Sequence, residues 1–376
     1  MIELEVFLMA TGKNAHLNAM ADLGTSPWID NISRDWLEDG TLSRLIEDGV
    51  VGLTSNPTIF ANAISKSSVY DSQIKELKAK GFEAGQIALE LAKADVAAAA
   101  TLLEPVSKRT SHLDGWVSLE VDPFLAFDSE ATIKAAREIS QELVVEGGHR
   151  NVMVKIPATK AGLGPIEEAI AAGISVNVTL IFSIERYREV YEAFLKGAER
   201  GLEAGVDYSH HRSVASFFVS RLDTAVDPLL KDHPELQGKV AVAQSKLAYQ
   251  TFLEVAGSDR SQRLIEAGIA PQRPLWASTS SKNPNYPDLV YVDNLIGPNT
   301  VNTMPLATME AVMDHGAARK NSILEGVDEA RELIEINLGK AGVNLSGVTA
   351  DLESQGVSSF SASWKQLLDE IDKKAV

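Results

Sequence analysis

The strongest constraint on the fold is an alternation. Eight short apolar runs, at 26–29, 50–55, 116–121, 152–156, 174–181, 214–219, 274–278 and 299–304, recur along the 376 residues. Helical patterns such as 132–145, 184–202 and 240–255 separate them, each long enough for the crossover that two parallel strands require. Strand and helix in strict alternation imply βα units around a parallel sheet. Eight units predict an α/β fold of the (β/α)₈ TIM-barrel type over a doubly wound sheet. Leu289-Val290-Tyr291-Val292 also looks like a strand, yet it follows the preceding one too closely for a parallel crossover. It is therefore read as a short helix over 288–296, begun after Pro287.

Two helical regions exceed the plain barrel. Residues 57–113 form an insert after the second strand, with helical patterning at 74–77, 87–91 and 94–103, and residues 305–376 add helices that end in 364–371. No linker or low-complexity tract divides the chain, and no internal repeat shows beyond the βα alternation. A single domain over 1–376 is expected, with the barrel at about 23–316, the insert at about 57–113 and C-terminal helices at about 317–376.

Composition excludes several classes of function. A formal charge of −17 leaves no basic stripe for nucleic acid or an anionic membrane. No segment reaches the roughly 18 apolar residues of a membrane span. Zero cysteines rule out disulfides, thiolate metal sites and cysteine nucleophiles, and fit a reducing, cytoplasmic setting. Acids at Glu3 and Glu5 stand where an export signal carries lysine or arginine, and the apolar run 6–10 is too short for one, so the first dozen residues read as a frayed extension. The seven histidines, including the His210-His211 pair, lie in loop-like or helical sequence. No metal-ligand spacing is evident, and neither a metal nor a cofactor is expected.

Within Val152-Met153-Val154-Lys155-Ile156-Pro157 a lysine interrupts an apolar strand. Burying an ammonium without a partner is costly and lowers its pKa, which leaves the neutral amine that a Schiff-base lysine needs. The ordinary alternative is a head group that reaches solvent or a carboxylate. Strand side chains alternate between faces, so parity sorts the neighbours. Val117, Leu119 and Val121 leave Ser118 and Glu120 opposite; Val152, Val154 and Ile156 leave Met153 and Lys155; Ile174, Val176, Val178 and Leu180 leave Ser175, Asn177 and Thr179. If the apolar faces meet the outer helices, Glu120, Lys155, Asn177 and Thr179 project into the barrel near its C-terminal mouth, where barrel active sites lie. Asp30 and Asn56 follow the first and second strands. Singly, Asp30 could cap a turn or helix, Asn56 could serve a turn before Pro57, and Thr179 is common in strands. A carboxylate, a lysine, an amide and a hydroxyl at one mouth point instead to chemistry. For an anion, Gly162-Leu163-Gly164-Pro165 is a weak backbone signal and Arg221, after the sixth strand, a better clamp, unless it pairs with Asp223 at the surface.

These residues fall in motifs that resemble the transaldolase family, from about Leu23 onward. They are Trp28-Ile29-Asp30, Thr54-Ser55-Asn56-Pro57, Leu119-Glu120-Val121-Asp122, Val154-Lys155-Ile156-Pro157-Ala158-Thr159, Asn177-Val178-Thr179-Leu180-Ile181-Phe182-Ser183 and Ser216-Phe217-Phe218-Val219-Ser220-Arg221. The stretch from Tyr291 to Pro305 resembles the longer bacterial branch. The resemblance implies cofactor-independent, class I transfer of a dihydroxyacetone unit between sugar phosphates in the pentose phosphate pathway. It implies Lys155 as the imine-forming nucleophile, Asp30 as general base, and Glu120 with Thr179 as proton shuttle through a water. Asn56, Asn177 and Ser216 would hold the dihydroxyacetone hydroxyls and Arg221 the phosphate. Shorter family members place a second arginine after the seventh strand; here Ser280 or Ser281 with Lys282 would replace it, without the bidentate fork. Two rivals remain: a fructose 6-phosphate aldolase-like lyase that releases dihydroxyacetone, and a non-catalytic sugar-phosphate-binding barrel. A monomer and a homodimer are both compatible with the chain.

Overall fold

A computed structural model describes residues 12–375, so the acidic start and the run 6–10 lie outside the described residues. Eight parallel strands close into a barrel in chain order: β1 (Thr25–Ile29), β2 (Gly52–Thr54), β3 (Val117–Glu120), β4 (Val152–Pro157), β5 (Val176–Ile181), β6 (Ser213–Phe218), β7 (Arg273–Ala277) and β8 (Thr300–Met304). β8 pairs back onto β1 through Thr25↔Thr300 to Ile29↔Met304, which leaves no open edge. The segment 288–296 does contain a helix, Val290–Asp293, and not a ninth strand.

Every residue of the eight strands is buried. Their outward apolar faces meet the surrounding helices, as expected of a parallel sheet covered on both sides. Inside, the N-terminal end is plugged by polar groups that hydrogen-bond one another. Arg273 lies 3.2 Å from Asp114 and donates to Ser26 Oγ and the Thr300 carbonyl at 2.6 and 2.7 Å. Asp114 also accepts from Ser26 Oγ and Trp28 Nε1. Pairing and these bonds offset the cost of burying the two charges, although Arg273 Nε has no partner among the described residues. Above the plug the Trp28 indole fills the barrel, and β2 gives it room with a glycine: a Cβ on Gly52 would sit 2.4 Å from the ring.

The insert consists of three helices, Pro57–Lys66, Asp71–Ala79 and Ala84–Arg109. The stretches 87–91 and 94–103 are thus one continuous helix, with Pro105 inside its last turns. The helix foreseen over 132–145 runs Ser129–Ser140 and then widens into a π-turn, Gln141–Glu146. The chain ends in the 30-residue helix Leu345–Lys374, which lies across the barrel mouth against the insert. Thr58 Oγ1 meets Ser363 Oγ at 2.7 Å, and Lys374 Nζ reaches Asp71 at 2.6 Å. Among the described residues no helix is long and apolar enough to cross a membrane.

Candidate active site

The strand register sets the site. Glu120 pairs in register with Lys155, and Lys155 with Asn177, so three polar side chains from β3, β4 and β5 lie in one row on the interior face. This is the face that parity predicts. Lys155 is 4 % exposed, yet it is not unpartnered: Nζ lies 3.1 Å from Glu120 Oε2 and donates to the Ser55 carbonyl at 3.0 Å. The second alternative, a lysine paired with a carboxylate, therefore holds alongside the interior placement. Burial pushes the Glu120 carboxyl above its ordinary range, with Lys155 pulling the other way. Beyond that ion pair Glu120 Oε2 has no further partner, and Thr179 Oγ1 is buried without any among the described residues. Asn177 is fixed from both ends, donating to Ser118 Oγ at 3.0 Å and accepting from Ser216 Oγ at 2.7 Å.

One cavity of about 150 Å³ opens above this row, lined by Asp30, Asn56, Lys155, Thr179, Ser216, Arg221, Ser280 and Lys282. Glu120 and Asn177 stand behind its wall, and Glu120 faces a smaller hollow beside Asn56 and Trp364. Asp30 caps no helix, since Ser33 fills that position for Arg34–Glu38. Its Oδ1 accepts from Thr54 Oγ1 at 2.7 Å, and burial raises its carboxyl above the ordinary value against the opposing pull of Lys155. Asn56 does two jobs: its Oδ1 accepts from Ile59 N at 3.0 Å as helix cap, and the residue also lines the cavity.

Arg221 does not pair with Asp223. That carboxylate is buried elsewhere, accepting from Ala241 N and Tyr291 OH, while the Arg221 guanidinium stacks 5.2 Å from the Phe218 ring. Lys282 Nζ donates to Ser280 Oγ at 2.5 Å in the loop after β7, whereas Ser281 turns away to the Asn283 carbonyl. The Gly162–Pro165 loop is not part of the site. Gly162 N donates to Thr159 Oγ1, and a Cβ there would meet the Pro157 carbonyl at 2.1 Å, so the glycine serves close packing.

Several cavity residues have no sequence signal as strong as Lys155. Thr54 and Thr303 share a hydrogen bond of 2.6 Å below Asp30, and Phe218 follows Ser216 on the same face of β6. Phe360 arrives from the C-terminal helix, with its ring 5.5 Å from Lys155 Nζ. Parity could have found Thr54 and Phe218; nothing local to residue 360 marks it as a cavity residue.

Fold and site together define a barrel built for amine chemistry on a small anionic carbonyl compound. The lysine sits mid-strand between two carboxylates, and cations stand at the rim. The chain belongs to the transaldolase/fructose-6-phosphate aldolase family, whose profile matches residues 27–371. It is similar to the curated transaldolase of Thermobifida fusca, 46% identical over 94% of this chain and 97% of that protein. Those of Saccharopolyspora erythraea, 46% identical, and Mycobacterium tuberculosis, 45% identical, are covered to the same 97%, over 95% and 96% of this chain.

Proposed function

We propose that the protein is a transaldolase, moving a dihydroxyacetone unit from sedoheptulose 7-phosphate to glyceraldehyde 3-phosphate to give erythrose 4-phosphate and fructose 6-phosphate. Lys155 Nζ attacks the ketose C2 carbonyl, and loss of water from the carbinolamine gives the protonated imine. Glu120, with its carboxyl raised by burial and 3.1 Å away, is suited to hold the proton Lys155 must give up. The Glu120 carboxylate and the unpartnered Thr179 Oγ1 are suited to hold the water that leaves and later returns.

Asp30 then takes the C4 hydroxyl proton. The C3–C4 bond breaks, its electron pair moves into the imine, and erythrose 4-phosphate departs as the aldehyde. The enamine left on Lys155 attacks the aldehyde carbon of glyceraldehyde 3-phosphate and forms the new C3–C4 bond, Asp30 returns the proton to the new hydroxyl, and water hydrolyses the imine. A raised carboxyl makes Asp30 a stronger base than an ordinary aspartate. Asn56, Asn177 and Ser216 hold the three-carbon unit, and Arg221 with Lys282 and Ser280 takes the phosphate.

The observation that carries this reading is the buried Lys155–Glu120 pair beneath a cavity that also holds Asp30 and Arg221. Incubation with fructose 6-phosphate and borohydride, followed by peptide mass mapping, tests it. A reduced three-carbon adduct on Lys155, absent from a folded Lys155→Met variant, is expected. An unmodified Lys155 would withdraw its role.

A further inference from the structure

The loops entering β3, β4 and β6 meet at the end of the barrel opposite Lys155, and they bring His112, His149 and the His210-His211 pair with them. Between these loops and the last turns of helix Ala84–Arg109 lies a cavity of about 310 Å³. His112, His149, His210, Arg150 and Lys108 line it, and the His112 and His210 rings are 4.2 Å apart between centroids.

The local charge opposes that of the chain as a whole. Within a molecule of net charge −17, Lys108, Arg150 and Arg212 gather here against Glu104 and Asp207. Glu104 is engaged with Lys108 at 2.7 Å. Arg212 donates to the His211 and Ser111 carbonyls, neither of which neutralises it. Burial, helped by His210, Arg212 and Arg150, pushes His112 below its ordinary value. Assembling like charges costs stability unless an anion answers them. Backbone strain adds to that cost: Ser111 and His112 hold φ of 50° and 65°, left-handed conformations worth about 1–3 kcal/mol each in non-glycine residues.

Structural duties in this region are shared: His112 Nδ1 meets Ser107 Oγ at 3.0 Å, which leaves its Nε2 for a ligand. Asn151 ties the Ala100 and Gly115 carbonyls together, and His211 binds the Ile174 carbonyl. His210 Nδ1, by contrast, is buried without a partner among the described residues. The histidines do not form a metal site, for among the described residues no three His, Cys, Asp or Glu side chains converge at ligand distance.

We propose that this cavity on the barrel's N-terminal face is a second binding site, for a small phosphorylated metabolite. The Arg150 fork and imidazole N–H donors suit the oxygens of a phosphate monoester. The volume exceeds that of phosphate alone and leaves room for the organic portion. The site shares no residue with the Lys155 cavity, so it stands or falls independently of the transferase reading.

Imidazole NMR of the full-length protein, with the seven histidines assigned by single substitution, tests the site locally with inorganic phosphate as probe. Saturable shifts confined to His112, His149 and His210 are expected. Arg150→Gln, at an exposed position, is expected to weaken the titration about tenfold, the worth of one charge-assisted hydrogen bond, and to leave turnover unchanged. Shifts that chloride reproduces at equal ionic strength, no saturation, or an Arg150→Gln titration with an unmoved midpoint would each overturn the proposal.

Discussion

Asp30 shows how one side chain can oppose stability and serve chemistry. Its carboxyl is raised by burial, so the folded state binds its proton more tightly than the unfolded chain does. Stability therefore falls as pH rises from the unfolded value of about 4 through the folded one, and the full cost persists above it. Asp30→Asn removes that cost. The variant is expected to melt higher than the parent near neutral pH, with the gap closing below about pH 4, while its transferase rate drops by roughly 10²–10⁴, the usual contribution of a general base. Calorimetry across pH beside a coupled assay checks both, and a lower melting temperature at neutral pH would contradict the assigned cost. At this scale much of the site was legible. Parity, with the apolar faces turned to the outer helices, put Glu120, Lys155, Asn177 and Thr179 on one face, because a two-residue period separates them from their apolar neighbours. Asp30 and Asn56 were harder, since residues just past a strand have no fixed period. The weak anion signal of Gly162 misled because a tight glycine turn has the same sequence whether it cradles a ligand or its own backbone.

Among the elements, the strands were read to within two residues at either end, because short β-rich runs between helices admit few alternatives. The C-terminal helix was seen only in its last third. Its buried residues Leu352, Gly356, Phe360, Trp364, Leu367 and Ile371 follow helical spacing, but glycine and small residues dilute the stripe. This helix approaches β5 closely at Gly356, where a Cβ would stand 3.0 Å from Leu180 Cδ2. Leu180 itself breaks the predicted alternation: a register shift between Val178 and Ile181 leaves it at φ 61°, a conformation costing about 1–2 kcal/mol for leucine. The bulge thus trades strain for a contact that seats the helix over the mouth, with Phe360 above Lys155. Phe360→Ala is expected to cost about 3 kcal/mol and to admit water to the enamine, raising free dihydroxyacetone relative to transferred product. A product ratio identical to the parent's, in a variant that still folds, would show that Phe360 only packs.

In the whole molecule, insert and tail form one helical layer over the barrel mouth, although about 300 residues separate Thr58 from Ser363 and Asp71 from Lys374. Such a layer could be a lid that opens on each turnover or a fixed wall. The cavity lining already reaches the surface at exposed Lys282 with the layer in place, which favours the wall. The chain has no cysteine, so a new pair cannot reshuffle. Thr58→Cys with Ser363→Cys places two thiols where hydroxyls now meet at 2.7 Å, close enough that a disulfide asks little backbone movement. Closing so long a loop is expected to stabilise by about 2–4 kcal/mol through the restricted unfolded chain, read as a melting temperature that falls when reductant is added. If the layer is a wall, kcat is the same with and without reductant. A kcat that recovers only on reduction would make it a lid whose opening limits turnover, and the site would then have to be described as closed during catalysis.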